Sequence, residues 1–534
     1  MKEIASFEIT LESYNHVFSH GGDVMLAQSI KGRNVSSLEN LLPDVHADLD
    51  RLLEWICVSA ENGTTAHVVE RDLFRNMLEL MRKLFQAYLT LVGPGDLGET
   101  AELDDGRVVK RSQEQHARRL RTVFGDFILS RWVYAQREGT KFELVPTDQR
   151  LELPASEVSY LLQEWDQLLG VDEAFGRVRD VIETILRIKQ SVATLEHTNQ
   201  QMAAAAPAFR ESQGPVDMSK EAKILVVTED NKGIPMVRPV EEKPAGAHRS
   251  KGEKANKKQM ACIGCVYSVD PHERTPEELV ATLFRDPDRT KTKAPEAQNK
   301  RYFAELSRER DGAMVRGQDL VFQSLAEEIK TRRQPGQLLF HLCDGQQSLE
   351  TDRHEYLPAD TPTLDALDLM HVLPRVWEAA HVFHAEGSTQ ASDFVRGDLL
   401  RILQGKVGAV IANWRRRGQR HGLTGAKKKT LARVSGFLAK NQHRMRYDEY
   451  LQLGCPIATG VIEGACRHVI KDRMERAGMR WKIVGAQAML NLRTIYTNGD
   501  WTAFQDYRIV LETECLYPNT KAMDAKEWPA YQAA

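Results

Sequence analysis

Apolar positions along this chain follow two rhythms, and the change comes near residue 215. Before that point the spacing is mostly helical. Between Asp72 and Leu91, the residues Leu73, Met77, Leu78, Met81, Leu84 and Phe85 recur every three or four positions, which predicts an amphipathic helix packing its stripe into a core. The stretch 118–135 departs from this rhythm. RRLRTVF and DFILSRWVYA are rich in β-branched and aromatic residues, with Gly125 and Asp126 between them, and predict a β-hairpin. The helical period returns over 154–202, broken near Gly170 and at 188–190. Within it KQSVATLEHTNQQMA has the look of a helix-turn-helix recognition helix, with Gln190, Ser191, Thr194, His197 and Asn199 able to reach base edges. An ordinary helical hairpin fits the same pattern. Alanines at 203–206, Pro207, Gly214 and Pro215 predict a linker.

Beyond the linker the runs shorten and lose their polar partners. Residues 224–227 (ILVV), GIPMVRPV and QMACIGCVYSV read as buried strands, with the polar loop RSKGEKANKK between the last two. A helix is expected from about Tyr302 to Arg333, then a strand in LLFHLCDG at 338–345. Strands separated by helices predict an α/β layer. The chain from Leu373 to about Met445 is helical again, and after LGCPIATG a further helix starts near Val461.

With 534 residues there is chain for roughly three domains. Hydrophobic residues make up 42%, so a large core can form. No apolar run approaches the ~20 residues of a membrane helix, and MKEIASFEIT lacks a signal-peptide layout, so a cytoplasmic protein is expected. Seven cysteines in so long a chain do not suggest a disulfide framework, and the CxxC at Cys262 and Cys265 has no second pair at zinc-finger spacing. Net charge is −3, but residues 406–446 hold 12 Lys or Arg and no Asp or Glu. So long an acid-free stretch suggests a polyanion partner, with Arg415, Arg416, Arg417, Lys427 and Lys428 as candidate phosphate contacts. Trp377 and Trp414 lie nearby and fit either a core or a base-stacking role.

Two acids follow apolar strand runs: Asp230 after ILVVTE and Asp344 after LLFHLC. An acid where a buried strand leaves its sheet points into the crevice at the sheet edge, where two can hold a divalent cation. Turn formation alone also places Asp there. Glu463, in the first turn of the helix after LGCPIATG, is the candidate third carboxylate, with Arg467 and Lys471 following on the same helical face as candidate DNA contacts. A Glu that complements the helix dipole is the plain alternative. His341 reads as packing.

The segments VVTEDNKGIPM, HLCDG and CPIATGVIEGACRHVIKDRMERAGMRW together resemble bacterial insertion-sequence transposases of the ISKra type, relatives of the Mutator-like group of DDE transposases. The resemblance extends over at least 224–502, and more loosely over 107–202. It implies a fold of α/β class. An RNase H-like catalytic core is interrupted by a mostly helical insertion, and a mainly helical N-terminal region carries the β-hairpin. It implies Asp230 on the first strand, Asp344 on the fourth and Glu463 on a returning helix as catalytic and metal-binding residues. Two Mg²⁺ (or Mn²⁺) ions and double-stranded DNA, both transposon ends and target, are implied with them. Asp368 and His371 match an Asp-x-x-His signature of such enzymes. Asn231 stands where the family carries Gly, and Glu229 precedes Asp230, so either acid is open as the first ligand. The implied organisation is an N-terminal DNA-binding region over 1–212, with the possible helix-turn-helix at 154–202. The core runs over 213–372 and 447–502 around a basic insertion at 373–446, and a tail covers 503–534. A nucleoid-associated homo-oligomer on DNA is expected. A metal-dependent nuclease of the same fold, and a non-catalytic DNA-binding derivative, are the competing functions.

Overall fold

The apolar runs after residue 215 meet in one sheet. The computed structural model describes residues 43–237, 258–289, 293–310, 312–357, 363–458, 460–476, 478–520 and Met523, and the predicted RSKGEKANKK loop falls almost wholly outside them. Five strands form the sheet: β1 (Ile224–Pro235), β2 (Lys258–Val269), β3 (Gln298–Leu306), β4 (Leu338–Cys343) and β5 (Thr363–Leu367). Their order is β5-β4-β1-β2-β3. β1, β2 and β3 form an antiparallel meander, while β4 runs parallel to both β1 and β5. The result is a mixed sheet flanked by helices.

Burial explains the unbroken hydrophobicity of the central strands. Leu225, Val227, Cys262 and Val266 are covered by Val321, Phe322, Leu325 and Ile329 of the helix Gly317–Arg332. This helix approaches so closely that a Cβ at Gly264 would lie 2.7 Å from Val321 Cγ1, which accounts for the glycine inside CIGC. Cys262 and Cys265 are buried free thiols, as packing requires.

The first half of one expected helix is strand. Residues 298–306 form β3, a short hairpin pairs Arg308–Arg310 with Ala313–Val315, and the helix begins only at Gly317. Tyr302 and Ala304 are buried whereas Arg301 and Phe303 are half-buried, a short alternation of period two at a sheet edge that ends where Glu305 and Leu306 are both buried.

The described chain divides into two compact units. The first holds the chain up to Ser159 and the segment from Leu516. It contains a helical hairpin (Pro43–Glu61 and Ala66–Val92), a small three-stranded sheet, and the predicted β-hairpin as His116–Thr122 paired with Gly125–Arg131. Val123 and Phe124 make its turn, and Gly125 takes a φ of +119° just after it. Phe85, Leu89, Leu120, Phe127, Leu129 and Leu153 form the local core. The amphipathic stripe of the second helix is not buried as expected: Met81 and Leu84 are exposed.

The second unit runs from Tyr160 to Cys515 and contains the five-stranded sheet. Its first helices correct two expectations. The helix Val192–Ala203 packs on Ile483–Thr497. Gln190 donates to Asp166 Oδ1 at 2.8 Å, Asn199 donates to Gln167 Oε1 at 2.8 Å, and Ser191 caps the helix through the Thr194 amide. Of the expected base readers, Gln190 and Asn199 are buried, Thr194 is half-buried, and Ser191 is taken up by its capping bond, which leaves His197 exposed toward solvent. The expected linker is a core element, since Met202, Ala203, Ala206 and Phe209 are buried against Leu492, Ile495, Trp501 and Phe504. The small alanines allow that close approach. Residues 501–515 likewise form a packed helix where a tail was expected.

Between β5 and the closing helices stands a bundle of four helices: Leu369–Phe383, Thr389–Leu403, Val407–Arg420 and Gly425–Asn441, each packed on the next and the last on the first. It begins four residues earlier than the pattern predicted, because Asp368 caps its first helix. Tyr447 and Tyr450 donate to the β5 carbonyls of Leu367 and Asp365, tying the returning chain to the sheet. Among the described residues no helix is long and apolar enough to cross a membrane.

Candidate metal centre

Sheet register builds the site. The ladder places Thr228 beside Leu342 and Leu342 beside Ala366. Two residues further along each strand stand Asp230, Asp344 and Asp368. Three adjacent parallel strands thus carry an aspartate at the same level, where β4 and β5 end while β1 runs on to Pro235, so Asp230 lies within its strand and not at its end. The Asp368 amide still donates to the Cys343 carbonyl at 2.8 Å, so the row is held together as it leaves the sheet.

Local bonds orient each carboxylate. Asp230 Oδ1 accepts from the Asn231 amide at 2.6 Å, and Oδ2 accepts from the Cys466 thiol at 3.2 Å. Asp344 Oδ1 accepts from the Gln346 amide at 2.7 Å. Asp368 Oδ1 accepts from the Met370 amide at 2.7 Å as helix N-cap. Gly345 follows Asp344 with a φ of +86°, and a Cβ there would lie 2.8 Å from Leu367 Cδ1. Only glycine lets the chain turn away while Asp344 stays in the row.

The remaining donors come from helices. His371 sits in the first turn after Asp368. Glu463 lies in the six-residue helix Gly460–Ala465, one turn before Cys466. Side-chain ligand atoms of Asp368, His371 and Glu463 all lie within 4.8 Å of one another. Carboxylate oxygens with one imidazole form a donor set that suits a divalent cation, and the cluster is able to hold one.

The neighbouring Asp344 also feels its surroundings. Burial pushes its carboxyl above the ordinary value, and the charges of Asp230 and Glu229 add to the shift against the opposing Gln346 amide and His371. A buried carboxyl with another carboxylate nearby is a setting that a cation would favour.

The neighbouring Glu229 belongs to the opposite face. Its carboxylate is buried and accepts from His341 Nε2 at 2.7 Å. His341 Nδ1 lies 3.7 Å from Asp365, which pairs with Arg353 at 2.7 Å. Burial alone would lower the His341 pKa, but the Glu229 charge and the bonds to Asp365 and Glu229 raise it above its ordinary value. His341 is therefore the centre of a buried charge chain rather than plain packing. Alternation along β1 separates the two acids and points Asp230 at the row.

Two cationic expectations change. After Glu463 the chain makes a π turn, Cys466–Lys471, which takes Lys471 off the helical line from Glu463. Arg467 and Lys471 are exposed, and Arg467 Nε lies 3.6 Å from Asp472. In the bundle, Arg415, Arg416, Lys427 and Lys428 are exposed, as a phosphate-facing surface needs. Arg417 is instead structural: its guanidinium lies 4.7 Å from the Phe383 ring centre and 5.2 Å from that of Phe394, and it bonds His384. Trp414 is fully buried and donates to Asp398 at 2.6 Å, so it cannot stack on a base. Trp377 stacks on His381.

The place of Asp368 in the row needs two strand registers, which no local pattern carries. Cys466 could have been found from its i+3 spacing to Glu463. No family model and no curated protein matches this chain.

Proposed function

We propose that this protein is a DDE-type DNA transposase, a metal-dependent phosphoryl-transfer enzyme with an RNase H-like core. The observation that carries the reading is the row of Asp230, Asp344 and Asp368 on adjacent parallel strands, with Glu463 and His371 brought beside its end. The first and fourth strands being neighbours supports the fold the resemblance implies, and so does the helical bundle standing between the second aspartate and the glutamate.

Asp230, Asp344 and Glu463 would hold Mg²⁺ or Mn²⁺, with Asp368 and His371 completing the donor set near Glu463. The bound cations supply positive charge to the reacting phosphodiester and an activated attacking oxygen. The chain's own part is positioning. Backbone amides of Asn231, Gln346 and Met370 fix one oxygen of each aspartate. Burial and the neighbouring charge of Asp230, which disfavour the charged form of Asp344, would be offset by a bound cation. Duplex DNA would lie against the exposed cations of the bundle, Arg415, Arg416, Lys427 and Lys428, whose phosphate contacts position it without reading sequence.

A labelled duplex carrying the DNA that flanks this reading frame tests the proposal. Cleavage followed by joining of the 3′ end to a second duplex is the expected result. Asp344→Asn and Glu463→Gln should each abolish both steps while DNA binding stays near that of the unaltered chain. Cleavage without joining would make the protein a nuclease. Binding without either reaction would make it a non-catalytic derivative. Near-normal cleavage by either variant would refute the site.

A further inference from the structure

The helical hairpin of the first unit carries an apolar face left exposed among the described residues. On Pro43–Glu61, Leu49, Leu53 and Ile56 follow at spacings of four and three, with side chains 40%, 53% and 36% exposed. On Ala66–Val92, Phe74, Met81 and Tyr88 follow at spacings of seven, 47%, 39% and 50% exposed, with Leu84 beside them. Among the described residues, only Leu52 and Ser59 of the first helix and Leu80, Ala87, Leu89 and Val92 of the second are buried. A contiguous stripe on two neighbouring helices is unlike the scattered apolar residues of an ordinary surface.

Charge identifies the occupant. Between Asp44 and Glu157 there are 20 Asp or Glu against 15 Lys or Arg, an excess of acid that repels a nucleic-acid backbone. Beside the stripe of the first helix run Asp50, Glu54 and Glu61, at spacings of four and seven. Beside the stripe of the second run Arg71, Arg75 and Arg82, at the same spacings. All six are exposed. At 3.6 residues per turn each trio forms one edge line flanking its apolar stripe. When two such hairpins meet face to face about a two-fold axis along the helices, each first helix lies over the partner's second. The acidic line of one copy then meets the basic line of the other, twice.

We infer that the hairpin Pro43–Glu61 and Ala66–Val92 is a self-association surface, and that a second copy of this chain covers it to make a four-helix bundle. The transposition reading supplies a reason for two copies, since two DNA ends must be held together. The surface itself stands on the stripe and the charge lines, and its test involves neither DNA nor cation.

The full chain should sediment as a dimer in the micromolar range. Replacing Leu53 and Phe74 together by Glu should weaken association at least about 100-fold, from the loss of two buried apolar side chains per copy. Because both residues are exposed in the single chain, circular dichroism should not change, and the unfolding midpoint should fall only by the concentration-dependent stabilisation that association adds. The pairing itself is tested by charge reversal. A chain carrying Asp50→Lys and Glu54→Lys, and another carrying Arg75→Glu and Arg82→Glu, should each associate more weakly alone. Mixed, they should recover a dimer. A monomeric full chain would overturn the proposal, including the case where the stripe is protected from hydrogen exchange by the chain's own first residues. A dimer unaffected by the Leu53 and Phe74 changes, or reversed chains that fail to recover on mixing, would overturn it equally.

Discussion

Glu229 and Asp230 are adjacent carboxylates, and removing the charge of each should have opposite consequences. Glu229→Gln acts on the buried chain behind the sheet. The Glu229 side chain is fully buried and holds His341 Nε2 through both oxygens, at 2.7 and 2.9 Å. Loss of one partner from a buried pair costs about 3–5 kcal/mol. Glutamine keeps the shape and an acceptor, which places the expected loss at the low end, near ~3 kcal/mol. The loss should depend on pH. His341 has a folded pKa above its unfolded one, so the stability from its protonated form is present in full below the unfolded value, about 6.5, and fades as pH rises through the folded value. The gap between wild type and Glu229→Gln should therefore be widest near pH 6 and narrow toward pH 9. Asp230→Asn should do the reverse. It removes one of the charges that raise the Asp344 pKa, so stability should hold or rise slightly. Affinity for Mn²⁺ should fall by at least about tenfold to a hundredfold, the scale of disturbing a metal's close surroundings. Urea unfolding across that pH range and calorimetric titration with Mn²⁺ measure the two effects. If Glu229→Gln abolishes Mn²⁺ binding with stability intact, the two acids have been assigned to the wrong faces.

Three further outcomes follow from the same geometry. Replacing Arg415, Arg416, Lys427 and Lys428 by Ala should lower the salt dependence of DNA binding by about one unit of slope per lost phosphate contact, and an unchanged slope would mean that these cations face only solvent. Arg417→Ala should leave that slope alone and instead cost about 1–2 kcal/mol in urea unfolding, because it removes two ring contacts and the His384 bond. Gly345→Ala should destabilise the fold by about 1–3 kcal/mol, since its left-handed backbone and the nearby Leu367 both resist a Cβ. It should also reduce Mn²⁺ affinity, which a purely local strain would leave unchanged.

Runs that are buried on both sides are legible from the order of residues alone. ILVV and LLFHLC are almost wholly apolar because both faces of their strands are buried; Asp344 follows where its strand ends, whereas Asp230 lies within a strand that runs on to Pro235. The hairpin near 118–135 is legible for a related reason, its branched and aromatic residues alternating toward Leu89 and Leu153. What local patterns do not carry is register. Asp368 joins Asp344 only because β5 pairs with β4 in step, and the two are 24 residues apart. The β3 strand is hidden because an edge position lets Lys300 and Arg301 sit among its apolar residues, which mimics a helical face. Residues 203–209 mislead in the opposite sense. Ala, Pro and polar neighbours signal a linker, yet small side chains are also what a tightly packed helix crossing needs. The basic stretch is a surface, as its composition suggests, but one of its arginines packs on aromatic rings that lie 23 and 34 residues earlier.

Asp368 serves at once as the cap of the bundle's first helix and as a donor in the carboxylate row. Ordering of that helix and occupancy of the row are therefore coupled equilibria, because whatever frays the first turn also releases the carboxylate. A cation that binds only the ordered arrangement adds its binding free energy to the helix, in proportion to the logarithm of its concentration over its dissociation constant. Reciprocally, a duplex that steadies the bundle from outside would tighten the cation site some residues away. On the proposed function, duplex engagement and cation loading would then be coupled, with the helix cap as the joint through which each reports on the other.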